Sequence, residues 1–226
     1  MAWWEPQEPM QPPLWRDRRQ AGMALARRLQ HWQAHPEALV IGLPRGGVVV
    51  AAEVAQALQL PLASWAVRKL AVPAAPEVAV GAIAPGGVLL WDEPYLRQLH
   101  LDPPLRRRLI AEQDAELHRR QRLYGDPEAS ALRNRPLLVV DDSVATGLTV
   151  RAALQSLRQT APSQLVLAVP VIDREILGRL QPLVDQLVAL ASVSDLGAVG
   201  RWFEEFEPVP DQQVLDLLAA GKPLSR

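Results

Sequence analysis

The sequence contains no cysteine, which excludes disulfides, thiol nucleophiles and thiolate metal sites together. It has almost no net charge, −1 from 24 basic and 25 acidic residues, which argues against a chain built mainly to coat nucleic acid. No apolar run reaches the roughly 18 residues of a membrane span, and proline or charge breaks the longest ones. The opening MAWWEPQEPMQPPLW lacks a basic flank and an apolar centre, so it does not read as a secretion signal. A cytoplasmic protein is expected, with neither nucleic acid nor membrane as partner. What the chain has in quantity is apolar side chain, 49% of 226 residues. That suffices for one large core and excludes a wholly disordered chain.

Residues 1–14, with Pro6, Pro9, Pro12 and Pro13, read as an irregular N-terminal arm, and residues 15–226 as one domain. Trp3 and Trp4 could dock on the body or on a second subunit. Asp17 can cap a helix running to about Gln33, with Ala21, Leu25 and Leu29 on one stripe. His31 and His35 lie near its end without a third ligand, so an exposed helix end is expected rather than a metal site. Beyond it, ALVIGL (38–43) is a continuous apolar run, PRGG follows, and 48–58 reads as a helix. PLASWAVRKL (61–70) predicts one further strand, and 78–83 with 87–92 predicts a hairpin around APGG. Asp102 followed by Pro103 starts a helix to about Leu123. Its arginines include Arg106, Arg107, Arg108, Arg119, Arg120 and Arg122, but Glu112, Asp114 and Glu116 are interspersed, which predicts a solvated face. A loop (125–136), a strand (137–140), a helix (148–158), strands at 164–171 and 183–190, and a last helix (211–220) complete the chain. Alternating strands and helices give an α/β fold, a mostly parallel sheet flanked by helices. Ligands of such sheets bind at the carboxyl ends of the strands, so the loops after Leu43 and Val140 matter most.

The second of these opens on LLVVDDSVATGLTV (137–150). Folding does not call for Asp141 and Asp142 side by side at a strand end, because like charges repel and resist burial. Beyond them Ser143, Val144, Ala145, Thr146, Gly147, Leu148 and Thr149 link a strand to a helix. Converging amides at the helix start, with hydroxyls beside them, suit a phosphate monoester. The Gly-Lys-Ser/Thr ending of a nucleotide-triphosphate loop is absent. Paired acids about one ribose away from a phosphate pocket suit a ribose 5-phosphate, accepting hydrogen bonds from its hydroxyls. They also suit magnesium, held directly or through water.

This segment resembles the phosphoribosyl-pyrophosphate signature of type I phosphoribosyltransferases: apolar strand, two acids, then a loop ending Thr-Gly-x-Thr. Asp141, Asp142, Thr146, Gly147 and Thr149 match its defining positions. DRRQAG (17–22), GLPRGGVVVAAEVA (42–55), VRKLAVPAAPEVAVGAI (67–83) and AVGRWFEEF (198–206) are similar to a poorly characterised bacterial group of predicted phosphoribosyltransferases. The resemblance covers the chain from about residue 14 onward and implies a small hood over the sheet.

Further site residues follow from it. PRGG (44–47) carries two glycines whose amides can face an anion and an arginine that can fork onto phosphate oxygens. The family's loop at this place holds pyrophosphate, so Pro44, Arg45, Gly46 and Gly47 carry over; alone, an ordinary tight turn would account for them. Arg68 and Lys69 are expected to end the next strand, where either could neutralise the leaving diphosphate or simply be solvated. The family's mobile catalytic loop would start in AVPAAPE (71–77), where the group more often has glycine and asparagine. Trp202 and Phe203 are candidates for stacking on the acceptor base, worth about 1–3 kcal/mol, with buried core aromatics as the competing reading.

The implied activity is transfer of ribose 5-phosphate from phosphoribosyl pyrophosphate to a nitrogenous base or related small-molecule acceptor, with Mg2+ and release of pyrophosphate. The family's habit makes a homodimer the expected assembly. A non-catalytic sensor of the sugar diphosphate or of a nucleotide is the alternative. No residue is diagnostic for the acceptor.

Overall fold

A computed structural model describes residues 11–72, 79–99 and 101–222. Trp3, Trp4, Pro6 and Pro9 of the arm, and positions 73–77 of the expected catalytic loop, lie outside the described residues.

In chain order the elements are α1 (Arg18–Arg28), β1 (Leu39–Gly42), α2 (Gly46–Leu58), β2 (Leu62–Ser64), β3 (Arg68–Ala71), β4 (Ala79–Ala84), β5 (Val88–Trp91), α3 (Glu93–Leu99) and α4 (Pro103–Tyr124). There follow α5 (Ala129–Leu132), β6 (Pro136–Val140), α6 (Leu148–Gln159), β7 (Gln164–Asp173), α7 (Arg174–Leu180), β8 (Gln186–Val193) and α8 (Asp211–Ala220). Five strands form a parallel sheet in the order β2-β1-β6-β7-β8, and β3-β4-β5 form a separate antiparallel sheet.

The parallel strands read as unbroken apolar runs because helices cover both faces. Leu39, Ile41, Leu137, Val139, Leu165 and Leu167 pack into a core with α6 and the small sheet. Their alternates Val40, Leu138, Val140, Val166 and Ala168 pack on the other face against α1 and α2. Capping fixes where the helices begin. The Asp17 carboxylate accepts from Gln20 N at 2.8 Å, and Asp102 accepts from Leu105 N at 2.8 Å. Asp17→Ala is expected to cost about 1 kcal/mol, read as a lower urea midpoint at unchanged m-value.

Three expectations need correction. The 61–70 run is two strands in two sheets, not one. Asp126, at the end of α4, accepts from Ser64 Oγ at 2.5 Å and from Ala66 N at 2.6 Å. Taking a main-chain donor away from the ladder turns the chain out of the central sheet. Arg68 and Lys69 therefore open β3 rather than end a strand of the central sheet. Residues 174–180 form a helix where none was expected, capped by Asp173 onto Glu175 N and Ile176 N, and the last strand starts at Gln186, three residues later than 183.

Candidate functional site

From β1 the chain moves one way to β2, and the other way lies β6. The β1/β6 boundary is thus the topological switch point, where open α/β sheets form their ligand crevice. Register sets the two strand ends level, Gly42 opposite Val140, and Leu43 N donates to Val140 O at 2.9 Å. The PRGG loop and the acid pair consequently share one crevice.

They are packed in contact. The peptide between Pro44 and Arg45 is cis. Gly46 and Gly47 form the first turn of α2, against the expectation that the helix starts at 48. A methyl group on Gly46 would overlap the Asp142 carboxylate and lie 2.8 Å from Arg18 Nε; one on Gly47 would lie 2.7 Å from Asp141 Oδ1. The glycines serve close approach of the helix end to the acids.

The acids differ in their surroundings. Asp142 Oδ2 accepts from Arg18 Nε at 2.8 Å, and Oδ1 accepts from Ser143 Oγ at 3.2 Å. Asp141 Oδ1 accepts from Asp142 N at 2.9 Å. Burial, then the Asp142 charge, push the Asp141 carboxyl well above the usual carboxylate range. A carboxylate there gains from any cation or hydroxyl donor brought to it. Among the described residues no group of three or more His, Cys, Asp or Glu could hold a metal ion. Two carboxylates do match magnesium that keeps its waters and binds through one or two acids plus substrate phosphates.

Residues 143–149 wrap the start of α6. Gly147 precedes the helix at φ 72°, a left-handed conformation that favours glycine, with Ile176 packed where a side chain would stand. First-turn amides of α6 have no partner within the helix. One member of the expected phosphate loop plays another part: Val144 is buried, its N–H donates to Val171 O, and its C=O accepts from Asp173 N, both at 3.0 Å. It anchors the loop to β7, and its amide is not available to a ligand.

Two residues not anticipated join the site: Arg18, paired with Asp142, and Phe206, which lies against Arg18. Arg18 donates from Nη1 to Glu207 O at 2.9 Å and lies 3.7 Å over the Phe206 ring. Phe206 is half-buried and stacks on Phe203 at 5.0 Å. Trp202 and Phe203, the expected stacking rings, are instead 2% and 4% exposed. Trp202 donates from Nε1 to Leu196 O, and Phe203 packs on Trp15 at 5.7 Å. Both are core aromatics. Arg18 and Phe206 fall inside DRRQAG and AVGRWFEEF, and that likeness was the one sequence signal that could have found them.

The arginines divide. Arg45 Nη1 lies 3.4 Å from Asp211 Oδ1. Arg68, half-buried, donates from Nε and Nη2 to Gln113 Oε1 at 2.9 and 2.7 Å. Burial and then the charge of Arg120 push its pKa down. Leu70, two residues on, packs with α4 side chains. Side chains alternate along a strand, so Lys69 projects from the opposite face to Arg68. The α4 charges pair within the helix as expected: Arg108 with Glu112 at 2.7 Å, and Arg119 and Arg120 with Glu116 at 2.6 and 2.9 Å.

The chain is similar to known proteins over most of its length. Residues 19–179 match the family model described as "Phosphoribosyl transferase domain". Two Mycobacterium tuberculosis proteins, of strains CDC 1551 / Oshkosh and H37Rv, provisionally named phosphoribosyl transferases, are each 39% identical over 206 residues. The match takes in 91% of this chain but 46% of each relative, so the chain spans about half their length. The crystal structure of TT1426 from Thermus thermophilus superposes with a TM-score of 0.69 at 39% identity, covering 92% of this chain and 98% of that one. Among the described residues no helix is long and apolar enough to cross a membrane.

Proposed function

Because the chain belongs to the phosphoribosyl transferase family, we propose that it transfers ribose 5-phosphate from phosphoribosyl pyrophosphate to a nitrogenous acceptor, releasing pyrophosphate, in the cytoplasm. One observation carries this reading: the acid pair, the amides opening α6 and the PRGG loop meet at the switch point, with Gly46 and Gly47 against Asp142 and Asp141. That spacing suits one ligand with phosphate at one end, ribose in the middle and diphosphate at the other.

In the reaction the bond from the anomeric carbon to the diphosphate oxygen breaks, and a bond from an acceptor nitrogen forms. The protein's work is positioning and electrostatics. Residues 145–149 would hold the 5-phosphate by amides and hydroxyls. Asp141 and Asp142 would accept from the ribose hydroxyls and favour positive charge developing on the ring. Arg45, with the amides of Gly46 and Gly47, would receive the leaving diphosphate, with Arg68 near it. Asp141 and Asp142 would also be the protein's share of a magnesium shell, the ion supplying charge neutralisation to the diphosphate when bound. Phe206 replaces Trp202 and Phe203 as the ring we expect beside the acceptor.

The test is pyrophosphate release from phosphoribosyl pyrophosphate and magnesium with a panel of purine, pyrimidine and other nitrogen acceptors. Release with one acceptor supports transfer; binding without release for every acceptor would mark the protein as a sensor. Asp141→Asn with Asp142→Asn is expected to weaken ribose 5-phosphate binding by about tenfold or more, one lost charge-assisted hydrogen bond sufficing. Unchanged affinity in a calorimetric titration would remove the acids from the ribose.

A further inference from the structure

A cavity of about 580 Å³ opens between the end of α4, the C-terminal half of α6 and the β4–β5 turn, a volume in the range of small-molecule sites. None of its lining residues belongs to the 42–47 or 141–149 loops, so it is not the crevice at the switch point. Trp65, Ser156 and Thr160 form its buried wall. Trp65 Nε1 donates to Ser156 Oγ at 3.1 Å, Ser156 Oγ donates to Pro85 O at 2.6 Å, and Thr160 Oγ1 donates to Leu157 O at 2.8 Å. Every polar side-chain hydrogen of that wall is thus engaged inside the protein, whereas the hydroxyl oxygens keep lone pairs. Asp126 adds a carboxylate to the same cavity. Its oxygens each accept one bond from a neutral donor, Ser64 Oγ and Ala66 N, which leaves acceptor capacity on both.

The charge on Asp126 is surplus to the fold. An asparagine would accept from Ala66 N and keep a bond with Ser64 Oγ, and no ion pair reaches Asp126 among the described residues. Burial pushes its carboxyl up to about 6, so near neutral pH the protein carries a charge that destabilises it. Such a conflict with stability is expected at sites kept for a ligand. At the rim Arg122 and Glu128 carry opposite charges, and His118 lies 3.4 Å from Asp114 of its own helix. Asp126 therefore sets the sign of the cavity. Acceptors on the wall and an unpaired carboxylate call for a ligand that brings donors and positive charge. Two carboxylate oxygens side by side match a planar fork of N–H groups. We propose that this cavity binds a small planar organic cation of the amidine or guanidine type, its paired N–H groups on the Asp126 carboxylate and its body beside Trp65. The site goes beyond the phosphoribosyl reading and does not depend on it.

Benzamidine is the probe, titrated by calorimetry at pH 7.5 into wild type and Asp126→Asn, with the neutral isostere benzamide in parallel. Asp126→Asn is expected to weaken benzamidine about tenfold, the loss of one charge-assisted hydrogen bond, and to leave benzamide within about twofold. Asp141→Asn with Asp142→Asn separates the cavity from the acids of the crevice, and benzamidine should bind that variant as it binds the wild type. Wild type that binds no benzamidine overturns the proposal, as does equal affinity for wild type and Asp126→Asn. A loss of binding on exchanging Asp141 and Asp142 instead also overturns it. Should Asp126→Asn not fold, Glu128→Lys decides, because that position is exposed and its side chain makes no capping bond. Reversing this rim charge is expected to weaken benzamidine about threefold, and unchanged affinity overturns the site.

Discussion

Gly46→Ala is expected to lower the unfolding free energy by about 3 kcal/mol, the upper part of the range for forcing a methyl into a packed site, and to weaken ribose 5-phosphate binding about tenfold, the loss of one charge-assisted hydrogen bond. The cause is local and double. The new methyl overlaps the Asp142 carboxylate and presses on Arg18 Nε, so the carboxylate must swing away from an ion pair whose side chains are 11% and 15% exposed. Breaking a pair that far buried leaves a charge without its partner. Neither neighbour can give way cheaply: Asp142 is held by Ser143, and Arg18 by Glu207 O and Phe206. Gly178→Ala is the control. It lies inside α7 with nothing within 4 Å of the added carbon, so it should be neutral or stabilising by about 0.4–1 kcal/mol. Denaturant melts and ribose 5-phosphate titrations of both variants check the pair. A Gly46→Ala protein with wild-type stability and affinity would mean that α2 does not press on the acids.

What could be read in the sequence was what is local. Continuous apolar runs marked β1, β6 and β7; Asp17 and Asp102 marked helix starts; the Asp-Asp pair and the glycine after it marked the crevice. Partners distant in the chain could not be read. Nothing near Ala66 signals that Asp126 will take its amide, 60 positions away, and so one apolar run was divided between two sheets. Arg18 and Asp142 are 124 positions apart, so the ion pair closing the site had no spacing to betray it. Among Trp202, Phe203 and Phe206, composition cannot say which ring is buried; that depends on Trp15 arriving from the start of the chain. The short α7 had a readable cap in Asp173, masked because the same residue ends a strand.

The segment that opens α1 and the helix α8 each bring a charged partner to the candidate site. The segment before α1 pairs with the segment after β8, Trp15 beside Phe203, and this brings Arg18 to Asp142. At the other end α8 brings Asp211 to Arg45. Each charged half of the candidate site thus has an internal counter-ion from outside the 42–55 and 137–150 segments that announce it. If the proposed ligand binds here, it would exchange partners with these internal counter-ions, which meanwhile lower the cost of holding like charges together.

Between pH 4 and pH 6 the protein is expected to lose about 3 kcal/mol of stability as the pH rises, through Asp126. Its carboxyl, pushed up to about 6 by burial against an ordinary 3.8, is only partly relieved by the bonds from Ser64 Oγ and Ala66 N. No ion pair offsets the charge among the described residues. A folded-state value above the unfolded one means that the native protein binds more protons in this window, so stability falls with pH and the loss is complete above about 6. Glu116 and Asp211, held at about 2, act in the other direction and only below their unfolded values, so the two effects occupy different windows. Asp126→Asn keeps an acceptor for Ala66 N and lets Ser64 Oγ accept from the new amide. It should flatten the slope between pH 4 and 6 and make the variant the more stable protein at pH 7.5. Denaturant melts at half-unit intervals measure the difference; parallel curves for the two proteins would mean that Asp126 titrates like an exposed carboxyl.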